Sequence, residues 1–344
     1  MRAPSHWQQP PRLLARLLAP VAALYGLAGR LRARLTVPYR ASVPVICLGN
    51  VTAGGTGKTP LAIALAERLR AAGHAPVFLT RGYGGHMAGP VLVDPAAMSA
   101  AEVGDEALVL ARHARTVVAR DRRAGANAAV RAGASVIVMD DGYQNPSLHK
   151  DVNLLVADAG AGLGNGLLIP AGPLRERPEA ALARADALIV VGPGDAADRL
   201  ANLARARGLP VFAAALVPAG DTAAIGGKRL LAFAGIGRPQ KFFDSLAAAG
   251  ARVRLTRAFP DHHPFTERQA QALLDDARAH ALELVTTEKD MARLAGARGG
   301  ALAALRAHTL TFRVRAEIDD VAALDRLIAA RLRDACETGA YRAV

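Results

Sequence analysis

The stretch Gly49 to Pro60, GNVTAGGTGKTP, lies between an apolar run, Val43 to Leu48, and a helical pattern, Leu61 to Ala72, that Gly73 ends. Strand, glycine-rich loop and helix in that order form the opening of a parallel β/α unit. Glycines let backbone N–H groups approach an anion, and the helix N-terminus adds a positive field. The usual phosphate loop reads Gly, four residues, then Gly-Lys-Ser/Thr. Counting back from Gly57-Lys58-Thr59, its first glycine falls at position 52, where this chain has Thr52, with glycines at 54 and 55 instead. On these residues alone a structural turn remains the alternative. If the loop is a nucleotide site, Thr52, Gly54, Gly55, Thr56, Gly57 and Lys58 line the phosphates, and Lys58 reaches the β- and γ-phosphates. Thr59 would supply a hydroxyl to Mg²⁺, and Pro60 suits the first helical turn, where a missing N–H costs little.

Beyond the loop, strand and helix patterns keep alternating. Strands are expected at 77–80, 116–119, 135–139, 152–157, 187–191 and 211–216, with helices at 102–114 and 122–132. A Gly-rich break at Pro218-Ala219-Gly220-Asp221 precedes a second alternation. Its strands are at 230–234, 253–255, 284–286 and 309–314, and its helices at 239–249 and 267–281. Such alternation means a mostly parallel sheet. The expected fold class is α/β: a P-loop NTPase-like domain over 41–220, a smaller α/β domain over 221–344 that closes the cleft, and an N-terminal amphipathic helix within 1–40. A chain of 344 residues accommodates two domains.

Charge is concentrated at one end. Residues 1–40 hold seven arginines and no acid, more than half of the formal charge of +13. Aromatic residues make up only 4%, so the interleaved basic and aromatic surface of a nucleic-acid binder is missing, and no nucleic-acid partner is expected. Two cysteines far apart, Cys47 and Cys336, give neither a disulfide framework nor a metal site and fit a reducing compartment. Arg12, Arg16, Arg30 and Arg34 fall within about 40° on a helical wheel, with Leu14, Leu17, Leu18, Val21 and Tyr25 roughly opposite. The uncharged run from Leu17 to Gly29 would reach only about 20 Å as a helix, short of the roughly 30 Å hydrocarbon core. Pro20 is expected to kink it. The pattern is that of a helix lying in a membrane interface, or else of a core-packing helix with a solvated arginine face.

Chemistry-bearing residues recur downstream. Ser135 to Asp141, SVIVMDD, is an apolar strand ending in two aspartates, the place for a Mg²⁺-linked carboxylate at the carboxyl edge of a parallel sheet. A plain Asp-Gly turn is the other reading. Asp105, in VGDEA, is a candidate base or a helix N-cap. Asp261-His262-His263 is a candidate acid–base cluster, a loop, or metal ligands lacking a third partner. The run Thr286 to Asp290 follows a strand, and a helix-entering cap is its modest reading.

Eight segments together resemble the tetraacyldisaccharide 4′-kinase family. They are GNVTAGGTGKTP (49–60), TRGYGG (80–85), VGDEALVL (103–110), VMDDGYQN (138–145), LLIPAGPLRE (167–176), AFAGIGRPQKFF (232–243), FPDHHPFT (259–266) and VTTEKDMARL (285–294). The Thr52 form of the loop looks like that family's own version. The resemblance implies an ATP- and Mg²⁺-dependent phosphotransferase of lipid A biosynthesis, acting on the 4′-hydroxyl of a tetraacyldisaccharide 1-phosphate. It implies a peripheral enzyme on the cytoplasmic face of the inner membrane, and a monomer is expected. It further implies Asp105 as catalytic base with His263 as its partner, Lys58 and Thr59 serving ATP and Mg²⁺, Asp140 holding metal and Asp141 serving catalysis. Tyr83, Glu106, Asn145 and Arg175 are implied contacts to the sugar lipid. Two rivals differ in kind. One is a nucleotide-switch ATPase of partner-binding or metallochaperone type, needing no acceptor site. The other is a basic, membrane-attached module with a structural nucleotide.

Overall fold

The computed structural model describes residues 4–10, 13–220 and 225–337; Arg12 and Asp221, used above, lie outside them. After a 3-10 turn at Ser5–Gln8 come α1 (Leu13–Leu35), β1 (Val45–Gly49), α2 (Lys58–Ala71), β2 (Pro76–Thr80) and β3 (Val91–Leu92). The expected helix 102–114 is divided into α3 (Ala100–Val103) and α4 (Asp105–Ala111). There follow β4 (Thr116–Val118), α5 (Arg122–Arg131), β5 (Val136–Asp140), β6 (Val152–Asp158), α6 (Pro178–Leu182), β7 (Ala187–Val191), α7 (Asp198–Arg205) and β8 (Val211–Ala219). A second lobe holds β9 (Arg229–Ala234), α8 (Pro239–Ala248), β10 (Arg252–Ala258), α9 (Glu267–Ala279), β11 (Glu283–Thr287), α10 (Glu288–Leu294), α11 (Gly300–Ala307) and β12 (Thr309–Ile318). The last helix is α12 (Val321–Glu337).

One hydrogen-bonded sheet of twelve strands spans both lobes in the order β10-β9-β11-β12-β8-β7-β6-β1-β5-β2-β4-β3. Neighbours run parallel except β12 with β8 and β3 with β4. The long β12 joins the lobes: Thr309–Phe312 pairs with β11 and Arg313–Ile318 with β8. Pro218 and Ala219 therefore belong to β8 rather than to a break. Within the first lobe, β1 lies between β5 and β6, and the chain leaves it in opposite directions, through β2 and through β7. Loops at the carboxyl ends of strands on either side of such a reversal form a crevice, the usual ligand site of open parallel sheets.

Alternation along the strands builds a core on each face. Val45 and Cys47 of β1 enter one cluster with Leu79 and Leu155, while Ile46 and Leu48 enter the other with Phe78 and Leu154. The second lobe repeats this, with Leu231 and Phe233 on one side of β9 and Leu230, Ala232 and Ala234 on the other. The C-terminal helix corrects the expected division at 221–344. Leu324, Ile328 and Leu332 of α12 pack among Ile46, Leu65 and Val156 of the first lobe. Arg331 also pairs with Asp186 at 2.9 Å.

The helix α1 continues through Pro20 for 23 residues, about 34 Å at 1.5 Å per residue. That is longer than its uncharged stretch suggested. Its seam with the body is made of small residues: Ala15 and Ala22 are buried, and Gly26 lies against Leu168. Of the apolar residues placed opposite the arginines, Leu14, Leu17, Val21 and Tyr25 are exposed and Leu18 is half-buried; Leu24 is exposed beside them.

Candidate active site

The loop after β1 shows why position 52 does without glycine. Thr52 bridges to Leu174 in an antiparallel pairing. The Ala53 N–H donates to the Pro173 carbonyl at 2.8 Å, and the Arg175 N–H to the Val51 carbonyl at 2.7 Å. The first residues of the loop are thus bridged to Pro173–Arg175 as an extended segment, where a side chain is tolerated and a β-branched one favoured. Further on, Gly54 and Gly55 are exposed, and a Cβ at either would meet nothing within 4 Å. Gly57 has φ +80°, a left-handed turn that delivers the chain into α2. Lys58 is held by Asn50 Oδ1 at 3.1 Å and lies 3.5 Å from Asp141 Oδ1. Thr56 and Thr59 are buried, and Thr56 Oγ1 has no hydrogen-bond partner.

At the end of the neighbouring β5 the two aspartates part. Asp140 is buried, its Oδ1 without a partner. Burial, then the charge of Glu106, push its carboxyl up to about 7 against the pull of Lys58. Asp141 takes φ +54°, which turns it off the strand axis. It accepts from Arg175 Nη1 at 2.8 Å. Burial acts to raise the Asp141 carboxyl, but Lys58 and Arg175 outweigh it and hold the group below the usual carboxylate range. A buried, unpaired carboxylate oxygen beside a lysine fits a cation. Among the described residues no cluster of three His, Cys, Asp or Glu side chains could hold a metal.

The third group crosses the lobes. Gly104, with φ +89° and too close to the Tyr83 carbonyl to carry a Cβ, turns the chain so that Asp105 begins α4. Its carboxylate, buried at 3% exposure, meets the second lobe. His262 Nδ1 lies 3.1 Å from both of its oxygens, and Arg293 Nε donates to Oδ2 at 2.7 Å. A carboxylate only accepts, so Nδ1 carries the proton. Burial acts to raise the Asp105 carboxyl, yet His262 and Arg293 hold it well below its ordinary value. His262 is itself raised: burial opposes its charge, but Asp105, Asp261 and Glu106 outweigh that. Beside it Lys289 Nζ donates to Glu106 Oε1 at 2.6 Å.

Here the structure corrects the expected partner, since His262, not His263, meets Asp105. His263 points back into its own lobe, stacked on Phe259 with Nε2 2.9 Å from Gln269 Oε1 at the head of α9. His262 has φ +55°, and that turn separates the two rings. Tyr83 lies edge-on to His262, ring centroids 4.9 Å apart, and is exposed. Asn145 is occupied locally, its Oδ1 accepting from the Ser147 N–H and hydroxyl.

The profile of the tetraacyldisaccharide-1-P 4′-kinase family, LpxK, matches residues 14–333. The chain belongs to this family. A tetraacyldisaccharide 4′-kinase of Parvibaculum lavamentivorans is 56% identical over 301 residues, covering 86% of this chain and 88% of the relative. One from a Methylobacterium species is 54% identical over 336 residues, covering 97% and 98%. Among solved structures, Aquifex aeolicus LpxK in complex with ATP superposes with a TM-score of 0.72 at 25% identity, covering 93% of this chain and all of that one.

Within this family frame, the run from Thr286 to Asp290 acquires a place that its sequence did not show. Thr287 caps α10, as its position suggested, accepting from the Asp290 N–H. Asp290 is fully buried; it accepts from the Gly235 N–H at 2.9 Å and pairs with Arg293 at 2.6 Å. The run therefore anchors Arg293 and presents Lys289. A second interlobe contact was also missed: Arg238 Nη1 donates to the buried Asp158 Oδ1 at 2.7 Å, and Lys241 pairs with Oδ2. A Cβ on Gly237 would come within 3.7 Å of the Gly55 N, so the segment before α8 lies over the phosphate loop. The basic residues of GIGRPQK were the available signal, but a sequence pattern does not say that they face Asp158.

Proposed function

We propose that this protein transfers the γ-phosphate of ATP to the 4′-hydroxyl of a tetraacyldisaccharide 1-phosphate, the lipid A precursor. The observation that carries the reading is the pair Asp105–His262, assembled from two lobes beside a phosphate loop. A nucleotide-switch ATPase or a membrane-attached module with a structural nucleotide needs no such acceptor group, so neither rival accounts for it. ATP would lie along Gly54–Thr59 with Lys58 on its phosphates. Thr59 and Asp140 would hold Mg²⁺, which when bound neutralises phosphate charge. Arg175 keeps Asp141 ionised beside Lys58. The Asp105–His262 pair orients the sugar hydroxyl and receives its proton, and the second lobe covers the loop and excludes water. Tyr83 and Glu106 flank the same pair and are placed to meet the sugar, whereas Asn145 shapes its own turn.

The helix α1 supports a peripheral membrane position on the cytoplasmic face of the inner membrane. By length and composition it is apolar enough to cross a bilayer, but its small-residue seam ties it along the catalytic lobe. Its outward leucines would then lie in the interface with the arginines on anionic head groups. The protein would act there as a monomer.

The test is labelled ATP incubated with the disaccharide 1-phosphate in detergent and scored for bis-phosphorylated lipid. Asp105→Ala should lower turnover by about 10²–10⁴-fold with ATP binding nearly intact. Label released only as free phosphate by the wild-type protein would overturn the reading.

A further inference from the structure

The side chain that holds Lys58 lies outside the phosphate-loop motif. Asn50, the first residue after β1, is fully buried. Its Oδ1 accepts from Lys58 Nζ at 3.1 Å, and its Nδ2 donates to the Thr52 carbonyl at 2.7 Å. An ammonium only donates, so this pairing fixes which end of the amide is oxygen. One amide thus ties the extended entry of the loop to the lysine at its end. Asn50 is itself held from elsewhere in the chain. Gln144 Nε2 donates to the Asn50 carbonyl at 2.8 Å and to Glu176 Oε1 at 2.9 Å. Both Glu176 oxygens accept from Arg184 Nη2, at 2.9 and 2.8 Å, and Gln144 Oε1 faces Arg175 Nη1 at 3.5 Å. The turn carrying Gln144 is pressed against the end of β1, where a Cβ on Gly49 would lie 2.4 Å from Tyr143 Cβ.

Lys58 has a second, stronger suitor. Asp141 Oδ1 stands 3.5 Å from Nζ, and a carboxylate attracts an ammonium more strongly than a neutral amide does. The Asn50 oxygen is nevertheless the nearer of the two, and it keeps the ammonium off Asp141. A lysine paired directly with Asp141 would bring little net charge to the phosphates. An aspartate at 50 would have the same fault, with two carboxylates flanking one ammonium. An amide gives the lysine an address without neutralising it.

We infer that Asn50 is a positioning residue for Lys58: it holds the ammonium at the phosphate loop and away from Asp141, and Gln144 sets its place from the segment that carries Arg175. The inference rests on the ATP-dependent reading above and deepens it. Arg175 occupies Asp141 from one side while Asn50 restrains Lys58 on the other, and Gln144 touches both arrangements. The cation for the phosphates and the aspartate beside it are thus kept apart by one connected frame.

The experiment measures the ATP dissociation constant without acceptor, kcat and KM with acceptor, and the melting temperature. The variants are Asn50→Ala, Asn50→Asp and Gln144→Leu, with Asn50→Ala and Gln144→Leu made also in a Lys58→Ala background. Asn50→Ala releases Lys58 to Asp141, so ATP should bind about 10-fold more weakly. Turnover should fall about 10²-fold, the scale of a misplaced catalytic group. Asn50→Asp keeps the shape but should weaken ATP further than Asn50→Ala, because it adds a carboxylate beside the ammonium. Gln144→Leu leaves the Asn50 side chain intact and should weaken ATP about 3-fold, which keeps the test available if the Asn50 variants fail to fold. In the Lys58→Ala background, Asn50→Ala and Gln144→Leu should leave ATP affinity where Lys58→Ala alone puts it, since both act through that lysine. Losses that multiply in the double variants, or that follow only the melting temperature, would overturn the inference. So would an Asn50→Asp variant that binds ATP as tightly as wild type. If the wild type binds ATP but forms no bis-phosphorylated lipid, the kinase reading fails alone, and the ATP affinities still decide the role of Asn50.

Discussion

Asp105 and His262 meet through one backbone detail, the positive φ of His262, which turns its ring toward the first lobe and leaves His263 in the second. The sequence presents two adjacent histidines after an aspartate and cannot distinguish them, because the choice depends on how a three-residue turn is wound. The structure separates their predicted effects. His262→Ala should cost about 10²–10⁴-fold in turnover as an acid–base group is lost. His263→Ala should leave turnover near wild type and cost about 1 kcal/mol, the size of a weakened helix cap. Equal losses in the two variants would refute the assignment. The raised carboxyl of Asp140 gives a second residue-level prediction. Well below pH 3.8 the group is protonated folded or unfolded and has no effect on stability. As pH rises toward about 7 the unfolded chain ionises first, so stability is lost, and above 7 the whole penalty is present. Asp140→Asn should therefore raise the melting temperature in chelator at pH 8 by about 2 °C or more and by much less at pH 4. Mg²⁺ with ATP should stabilise wild type more than the variant. A variant that melts no higher than wild type at pH 8 would count against the buried charge.

The phosphate loop shows what sequence reading at the scale of an element can and cannot deliver. Strand, loop and helix were legible because their periodicity and glycines are local signals, and the aspartates ending β5 were legible for the same reason. Thr52 was an exception to the general motif until its pairing with Leu174 was visible, and that pairing joins residues more than a hundred positions apart. The same pairing carries Arg175 to Asp141, so the altered motif positions a side chain as well as a backbone. Restoring the missing glycine should thus be harmful. Thr52→Gly places a flexible residue in a bridged, extended segment and should cost about 0.5–1 kcal/mol. KM for ATP should stay the same or rise. An improved KM or a higher melting temperature would mean that Thr52 is a tolerated defect of the loop.

At the scale of the whole molecule, two α/β lobes were foreseeable from the alternation, whereas the path of the chain between them was not. An amphipathic helix such as α12 declares that it needs an apolar surface without saying whose. It follows β12, a strand of both lobes, and Leu324, Ile328 and Leu332 settle on the first lobe, in the same core as Leu61 and Leu65 of α2, the helix that the phosphate loop enters. The chain therefore leaves the first lobe at β8 and returns to it through β12 and α12, enclosing the second lobe as an insertion. Such an arrangement couples the stability of the nucleotide-binding lobe to the C-terminal end of the chain. Ile328 is 3% exposed, so Ile328→Ala should cost about 2–5 kcal/mol. Hydrogen exchange should place the loss in β1, β6 and α2, while β9 and β11 keep their protection until global unfolding. Loss of protection confined to β9 and β11 would show instead that α12 belongs to the second lobe, and that the boundary near residue 221 describes the energetics better than the packing does.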